Sequence, residues 1–185
     1  FCSNDDSLII SYERKGSVKQ GIMHLYEGPP FQNGDTWRKP MYQLLTTDIG
    51  YINIGKIQTD SLGVIFKKFE NTKGIIIDIR NYPNEFMPFE MGRYLKPKPT
   101  PFDKYTGPAY NYPGAFRVIG TIENGAGHRD GVRVYRGLDI IWVNEQTQSS
   151  AEYTAMALRS APGAVVLGSQ TAGADGDISW VPFPG

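Results

Sequence analysis

Two adjacent serines carry the clearest chemical signal in this chain. Ser149 and Ser150 follow an apolar segment, residues 138–143, and begin an alanine-rich segment, residues 149–160, that is typical of a helix. A serine at the start of a helix lies beside backbone N–H groups, which can stabilise an oxyanion. This placement suits a nucleophilic hydrolase that works through a covalent intermediate.

The same residues also fit a purely structural role. The run SSAE at residues 149–152 matches a capping box, in which the first serine oxygen accepts from the backbone and Glu152 reaches back. Both roles use the same oxygen, so a serine held in a cap is a poorer nucleophile. Taken by itself, the motif favours capping.

The longer pattern resembles the C-terminal processing peptidases, also called tail-specific proteases. In that family a strand ending in V-N precedes an S-A-S-E segment with the nucleophilic serine, and a G-x-x-T-x-G element follows. The matching positions here are Val143, Asn144, Ser149, Ser150, Ala151, Glu152, Gly168, Thr171 and Gly173. The resemblance implies that Ser149 is the nucleophile and that a peptide or protein is the substrate.

The sequence differs from many members of that family at the position of the general base. They carry a lysine directly after the glycine of the last element, but Ala174 stands there and no lysine follows Lys104. A branch similar to the tricorn core protease uses a histidine from an N-terminal segment, supported by a downstream glutamate. His24 lies in a strand-like run and His128 in a turn-rich loop, so neither suits this role well. The resemblance therefore places the histidine before residue 1 and the glutamate after residue 185.

The oxyanion donors are expected at two backbone positions. Residues 78–85, DIRNYPNE, match the D-L-R-x-N-x-G-G motif of the family, whose turn supplies one N–H group. The other comes from the residue after the nucleophile, here Ser150. Pro83 has no N–H, so Asn84 is the candidate donor in the turn. Asn84 and Glu85 replace glycines that normally allow close backbone approach, and Glu85 adds a negative charge.

Other charged residues suit structural roles. Asp78 and Arg80 are expected to form an ion pair that positions the turn. Asp175 and Asp177 lie in a glycine-rich stretch, where aspartates commonly form turns. The chain lacks the Cys/His set of a zinc site, the ligand pattern of a calcium loop and a phosphate-binding loop. We therefore expect no metal and no cofactor.

Composition excludes two classes of partner. The 19 basic and 19 acidic residues balance, whereas a nucleic-acid-binding protein normally has a basic surface. No apolar run approaches the length of a membrane span. The single cysteine, Cys2, allows no internal disulfide. The compartment and the oligomeric state stay open, and only the family resemblance favours a periplasmic, secreted or cell-envelope location.

The N-terminal segment is predicted to be a β-hairpin. Residues 6–14 and 18–26 read as strands around a Lys15-Gly16 turn. The hairpin resembles the last strands of a PDZ domain, and an ordinary hairpin fits equally well. We assign residues 1–27 to a PDZ-like end and residues 28–49, which contain Gly-Pro-Pro and Asn-Gly, to a linker.

Residues 50–185 are predicted to form an α/β catalytic core that is incomplete at its C-terminal end. A strand at 50–54, an amphipathic helix at 59–71 and a continuous apolar strand at 74–80 follow in order. The order repeats between residues 138 and 167, which indicates helices packed on a sheet. The family resemblance implies the crotonase-like ββα-superhelix version of that class.

A proline-rich and aromatic segment, residues 96–130, separates the two motifs. It could form a lid or wall that binds extended peptide. It could equally be a long surface loop whose side chains pack against one another in a small cluster of their own. The sequence thus predicts the core of a serine-type endopeptidase, and whether this chain is active alone stays open. The alternatives are an inactive relative that binds peptides, or a module that binds carbohydrate or apolar ligands.

Overall fold

The chain folds as two units, one within residues 1–32 and the other within residues 33–185. The computed structural model describes residues 7–24, 38–109 and 111–176. The first unit is an antiparallel hairpin of β1 (Ser7–Arg14) and β2 (Ser17–His24). Lys15 and Gly16 have positive φ angles of 54° and 75°, which match the tight turn that the strand twist favours. The predicted hairpin is confirmed, and its likeness to a PDZ domain stays a prediction.

The second unit contains the other described strands and helices. They are β3 (Tyr42–Leu44), β4 (Ile49–Asn53), α1 (Leu62–Lys68), β5 (Gly74–Asp78), α2 (Pro88–Leu95), β6 (Thr100–Pro108), β7 (Phe116–Asn124), β8 (Leu138–Val143), α3 (Ser150–Arg159) and β9 (Val165–Gly168). Short 3₁₀ turns cover Thr59–Ser61 and Gly127–Asp130. The predicted α/β class is confirmed, whereas the crotonase-like superhelix stays a prediction.

A five-stranded sheet in the order β3-β4-β5-β8-β9 forms the centre of this unit. Only the β3–β4 pair is antiparallel, and the other neighbours run parallel with helices in the connections between them. Strand β3 falls within residues 28–49, so part of the segment that we assign to a linker contributes an edge strand of the sheet. The carboxyl ends of β4, β5, β8 and β9 consequently lie along the same edge of the sheet.

The hydrophobic core lies between one face of the sheet and the helices. Ile75 and Ile77 of β5 are completely buried there. From α1 and its end, the core receives the predicted apolar stripe of Leu62, Ile65, Phe66 and Phe69, all at most 5% exposed. Each side chain of this size stabilises the fold by about 1.5–3 kcal/mol when fully buried. The helix is shorter than predicted at both ends: Thr59–Ser61 form a 3₁₀ turn, and Phe69 is the C-cap. Beyond that end, Thr72 donates from both its N–H and its hydroxyl to the Phe69 carbonyl.

The proline-rich segment forms a projecting hairpin of β6 and β7, with bulges near Asp103 and Thr106. A buried lysine anchors its base. The Lys96 ammonium group donates to Asn124 of β7, to the Ala157 carbonyl at 3.1 Å and to the Ser160 hydroxyl at 2.5 Å. Lys96 therefore caps the carboxyl end of α3 and ties the hairpin to it. Among the described residues, no helix is long and apolar enough to cross a membrane.

Candidate active site

The candidate site lies where the parallel strands end. Ser149 follows β8 and Asp78 ends β5, so both lie at the edge where open α/β sheets commonly bind ligands. Thr147 joins the two turns, because its buried hydroxyl donates to the Ile79 carbonyl at 2.9 Å and accepts from the Asn144 N–H at 3.0 Å. Sequence reasoning missed Thr147, although a threonine in a polar turn is a common local acceptor.

Ser149 has an unusual backbone conformation, with φ of 52° and ψ of −121°. A non-glycine residue in this region costs about 1–3 kcal/mol and persists only where its surroundings hold it in place. Ser149 is the N-cap of α3 and is half-buried. The Ser149 N–H donates to the Glu152 carboxylate at 3.1 Å. The Ser149 side chain faces the backbone N–H of Glu152 but does not form a regular capping hydrogen bond with it. The capping box is therefore present, but its serine half is weak.

Glu152 connects the serine to the G-x-x-T-x-G element. Its carboxylate accepts from the Thr171 hydroxyl at 2.6 Å and from the N–H groups of Gly173 and Ala174 at 2.7 and 2.8 Å. Burial raises the pKa of the Glu152 carboxyl, but these hydrogen bonds outweigh burial and hold that pKa below its ordinary value. The element that the sequence predicted near the serine is thus held against the start of α3.

The predicted ion pair of Asp78 and Arg80 is confirmed. Asp78 is fully buried and accepts from Arg80 Nε and Nη2 at 2.8 Å each. The Tyr51 hydroxyl donates to the same carboxylate at 2.7 Å, a partner that sequence reasoning missed. Burial raises the pKa of Asp78, yet the hydrogen bonds from Arg80 and Tyr51 leave it lowered overall. The Arg80 guanidinium also lies 3.3 Å from the centre of the Trp142 ring.

The turn after β5 holds the candidate donor Asn84 in a hydrogen bond. The Asn84 N–H donates to the Ile54 carbonyl at 3.2 Å. Glu85 points toward Thr59, whose N–H and hydroxyl donate to its carboxylate at 2.8 and 2.6 Å. The Glu85 carboxylate is therefore hydrogen-bonded to the first residue of the 3₁₀ turn Thr59–Ser61. Phe86, which follows Glu85, lines the same cleft as Ser149.

A cleft of about 770 Å³ opens beside Ser149. Its lining includes Ser149, Ser150, the end of the described chain at Asp175 and Gly176, and both strands of the projecting hairpin, through residues 103–108 of β6 and through Phe116 and Ile119 of β7. The rings of Phe86 and Tyr153 line the cleft and are stacked 5.8 Å apart. Phe102 packs edge-on against Tyr153 at 5.2 Å. The hairpin is therefore a wall of the cleft, as one of the two sequence interpretations suggested.

Comparison with known proteins supports the architecture. No family model and no curated protein matches this chain. Its fold is similar to that of the "putative peptidase from Parabacteroides merdae ATCC 43184", with a TM-score of 0.61 and 18% identity over 72% of this chain and 44% of that one. The matched part of this chain therefore shares the α/β fold of that protein. A "lipoprotein from Streptococcus agalactiae" matches with a TM-score of 0.46 and 23% identity, over 76% of this chain and 53% of that one.

Few of the described residues could act as a general base for Ser149. His24 ends β2 and His128 lies in the second 3₁₀ turn, but both side chains are outside the described part of the structure. Lys104 lines the cleft and is exposed, whereas a lysine base must be desolvated. Within residues 7–24, 38–109 and 111–176, no group of three His, Cys, Asp or Glu side chains could hold a metal ion.

Proposed function

We propose that this chain is the catalytic core of a serine-type endopeptidase of the C-terminal processing type. Ser149 attacks a peptide carbonyl, the amine leaves, and water hydrolyses the resulting acyl-enzyme. The observation that carries the proposal is the strained backbone of Ser149 at the start of α3, beside a cleft with an aromatic wall. Strained backbone at a functional serine is commonly part of the mechanism.

The oxyanion that forms during attack is assigned to two backbone donors. Ser150 is the first residue of α3, where a helix leaves N–H groups without helical acceptors, and it lines the cleft. Asn84 is the second donor of the proposal. Its N–H must exchange the Ile54 carbonyl for the substrate oxygen, so donation requires a small movement of the turn.

The base that activates Ser149 is assigned to a histidine outside residues 1–185, as the resemblance to the tricorn-core-like branch implies. The hairpin of residues 7–24 is assigned to the end of a PDZ-like domain that binds chain ends by strand addition. A periplasmic, secreted or cell-envelope location rests on the family resemblance alone.

A fluorophosphonate probe tests the nucleophile directly, because it reacts with activated serines. The full-length protein should be labelled at Ser149, with Ser149→Ala removing the label. Ser169→Ala is the matched control, since Ser169 is exposed beyond β9 and its hydroxyl donates to Glu145 at 2.9 Å. Labelling that survives Ser149→Ala would refute the assignment.

An inactive relative that binds peptides is the second candidate. Ala174 replaces the lysine of many family members, and the Asn84 N–H already has an acceptor. For such a protein, peptides would bind in the cleft without turnover and the probe would leave Ser149 unlabelled. Peptide binding measured beside probe labelling therefore separates the two candidates.

A further inference from the structure

Exposed apolar side chains line the cleft beside Ser149. Phe86, which follows the turn after β5, is 56% exposed, and Phe116 and Ile119 of β7 are also exposed. Large apolar side chains that remain in contact with water and gather in a concave surface commonly mark a binding site. The cleft therefore offers apolar surface that the described part of the chain leaves uncovered.

Tyr153 places part of this apolar surface next to the candidate nucleophile. It lies one turn of α3 beyond Ser149, and its N–H donates to the Ser149 carbonyl at 3.0 Å. Residues four apart share one face of a helix, and a long side chain there leans toward the preceding turn. The Tyr153 ring is stacked on Phe86, with 18° between the two planes. A peptide held for attack by Ser149 would therefore place a neighbouring side chain against this pair of rings.

The hairpin contributes a further part of the apolar surface through Ile119. This side chain lies against Gly107 of β6, where an added Cβ atom would overlap it, and both residues line the cleft. The absence of a side chain at Gly107 therefore leaves the room that Ile119 occupies. Val118 precedes Ile119 on β7 and is similarly exposed, at 64% against 59%, but it lies outside the cleft lining. The two residues are therefore a matched pair, one inside the cleft and one outside it.

We propose that the cleft selects peptides that carry a bulky apolar side chain beside the scissile bond, packed between the Phe86–Tyr153 pair and Ile119. This inference rests on the proposed function, because it names the substrate class of the same cleft. Leucine or phenylalanine gains from leaving water against these side chains, whereas the methyl group of alanine offers little area to bury. A polar side chain of similar size would lose hydration there.

Binding to the full-length Ser149→Ala protein tests this preference without turnover. The probes are fluorescein-labelled hexa-alanine peptides, unchanged or with one central leucine or asparagine, and fluorescence anisotropy measures their dissociation constants. We expect the leucine peptide to bind roughly ten-fold tighter than the other two, because its additional carbon atoms leave water. The asparagine peptide separates apolar contact from size, since asparagine is polar and close to leucine in volume. A leucine peptide that binds no tighter than either of the others would overturn the inference.

Paired substitutions test the residues that select the side chain. Ile119→Ala and Phe86→Ala should each reduce the preference for leucine over alanine to about three-fold or less. Val118→Ala is the control on β7, and Tyr82→Ala is the control in the turn after β5, because Tyr82 is 51% exposed and outside the cleft lining. Both controls should keep the full preference. Partial unfolding weakens the binding of both peptides equally, so the ratio of their dissociation constants reports selection alone. A preference that survives Ile119→Ala and Phe86→Ala, or that falls equally in the controls, would overturn the assignment.

These results are separate from the test of the nucleophile. Fluorophosphonate labelling reports the reactivity of Ser149, whereas the binding ratio is measured after its hydroxyl has been removed. Labelling without a leucine preference would support the nucleophile and overturn this inference. A leucine preference without labelling would support the apolar site and refute the nucleophile.

Discussion

The carboxylate of Glu152 accepts a hydrogen bond from the Thr171 hydroxyl at 2.6 Å. This contact joins the start of α3, which carries Ser149, to the segment that follows β9. The same carboxylate also accepts hydrogen bonds from the N–H groups of Gly173 and Ala174. Glu152 is therefore both half of a helix cap and the anchor of a separate loop, so one side chain positions two parts of the candidate site.

Replacing Glu152 should destabilise the fold. Glu152→Ala leaves the Thr171 hydroxyl and three N–H groups without their acceptor, which should lower the free energy of unfolding by about 2–4 kcal/mol. Urea denaturation followed by circular dichroism measures this. Glu145→Ala is the control, because Glu145 is exposed and, among the described side chains, accepts from Ser169 alone. A loss no larger than that of the control would contradict the anchoring role.

The contribution of Glu152 should also depend on pH. Because hydrogen bonds hold its pKa below the ordinary 4.5 in the folded chain, its stabilising effect is present above about pH 4.5 and is lost as pH falls through the folded-state pKa. The stability difference between the wild type and Glu152→Gln should therefore shrink on acidification. Urea midpoints at pH 7 and pH 3.5 compare the two proteins. A difference that stays constant would show that the charge of Glu152 is unimportant.

Glycine at position 149 should relieve backbone strain. Ser149→Gly and Ser149→Ala both remove the hydroxyl, but only glycine adopts a φ of 52° with a ψ of −121° at little cost. We expect the glycine variant to be about 1 kcal/mol more stable than the alanine variant, and both to resist the fluorophosphonate probe. Thermal unfolding of the two variants measures the difference. Equal stability would mean that the serine backbone is unstrained in solution.

Removing the Tyr51 hydroxyl should destabilise the buried ion pair of Asp78 and Arg80. Tyr51→Phe takes one donor from the Asp78 carboxylate, and hydrogen bonds to charged groups contribute about 1.5–3 kcal/mol. The unfolding free energy should fall by that amount, and probe labelling of Ser149 should slow because the turn after β5 is held less firmly. Tyr82→Phe serves as the control, since Tyr82 is 51% exposed and should change stability by less than about 0.5 kcal/mol.

The contribution of Asp139 to stability should be less favourable at neutral pH than at acid pH. Asp139 lies buried on β8, its Oδ1 atom has no hydrogen-bond partner in the described structure, and burial raises its pKa from 3.8 to about 7. The folded state therefore favours the protonated carboxyl. Its stability contribution is complete below about pH 4, declines as pH rises and becomes a penalty of roughly 4 kcal/mol above pH 7.

The variant Asp139→Asn tests this directly. It should raise the unfolding free energy by at least about 2 kcal/mol at pH 8 and change it little at pH 4, because asparagine carries no charge to bury. Chemical denaturation at the two pH values provides the comparison. Asp60→Asn, which replaces an exposed carboxyl, is the control. If Asp139→Asn were equally destabilising at both pH values, the carboxyl would have a partner in the folded protein.

Local patterns determined much of this protein from its sequence. The apolar stripe of α1, the continuous run of β5 and the Lys15-Gly16 turn each depend on neighbours within a few residues, so their structure could be predicted. The same holds for Ser149 at the start of α3 and for the Asp78–Arg80 pair, which lie two residues apart.

Only the tertiary structure decided what surrounds these elements. The pairing of β6 with β7 is interrupted by bulges and shows little alternation, and Lys96 meets Ser160 across 64 positions of sequence. The hydrogen bonds of Glu152 to the loop after β9 are likewise invisible in a capping motif. Such contacts depend on how distant segments pack, and local propensity holds no information about that packing. The position of the serine at the start of a helix was therefore predictable, whereas the residues that line the cleft beside it were not.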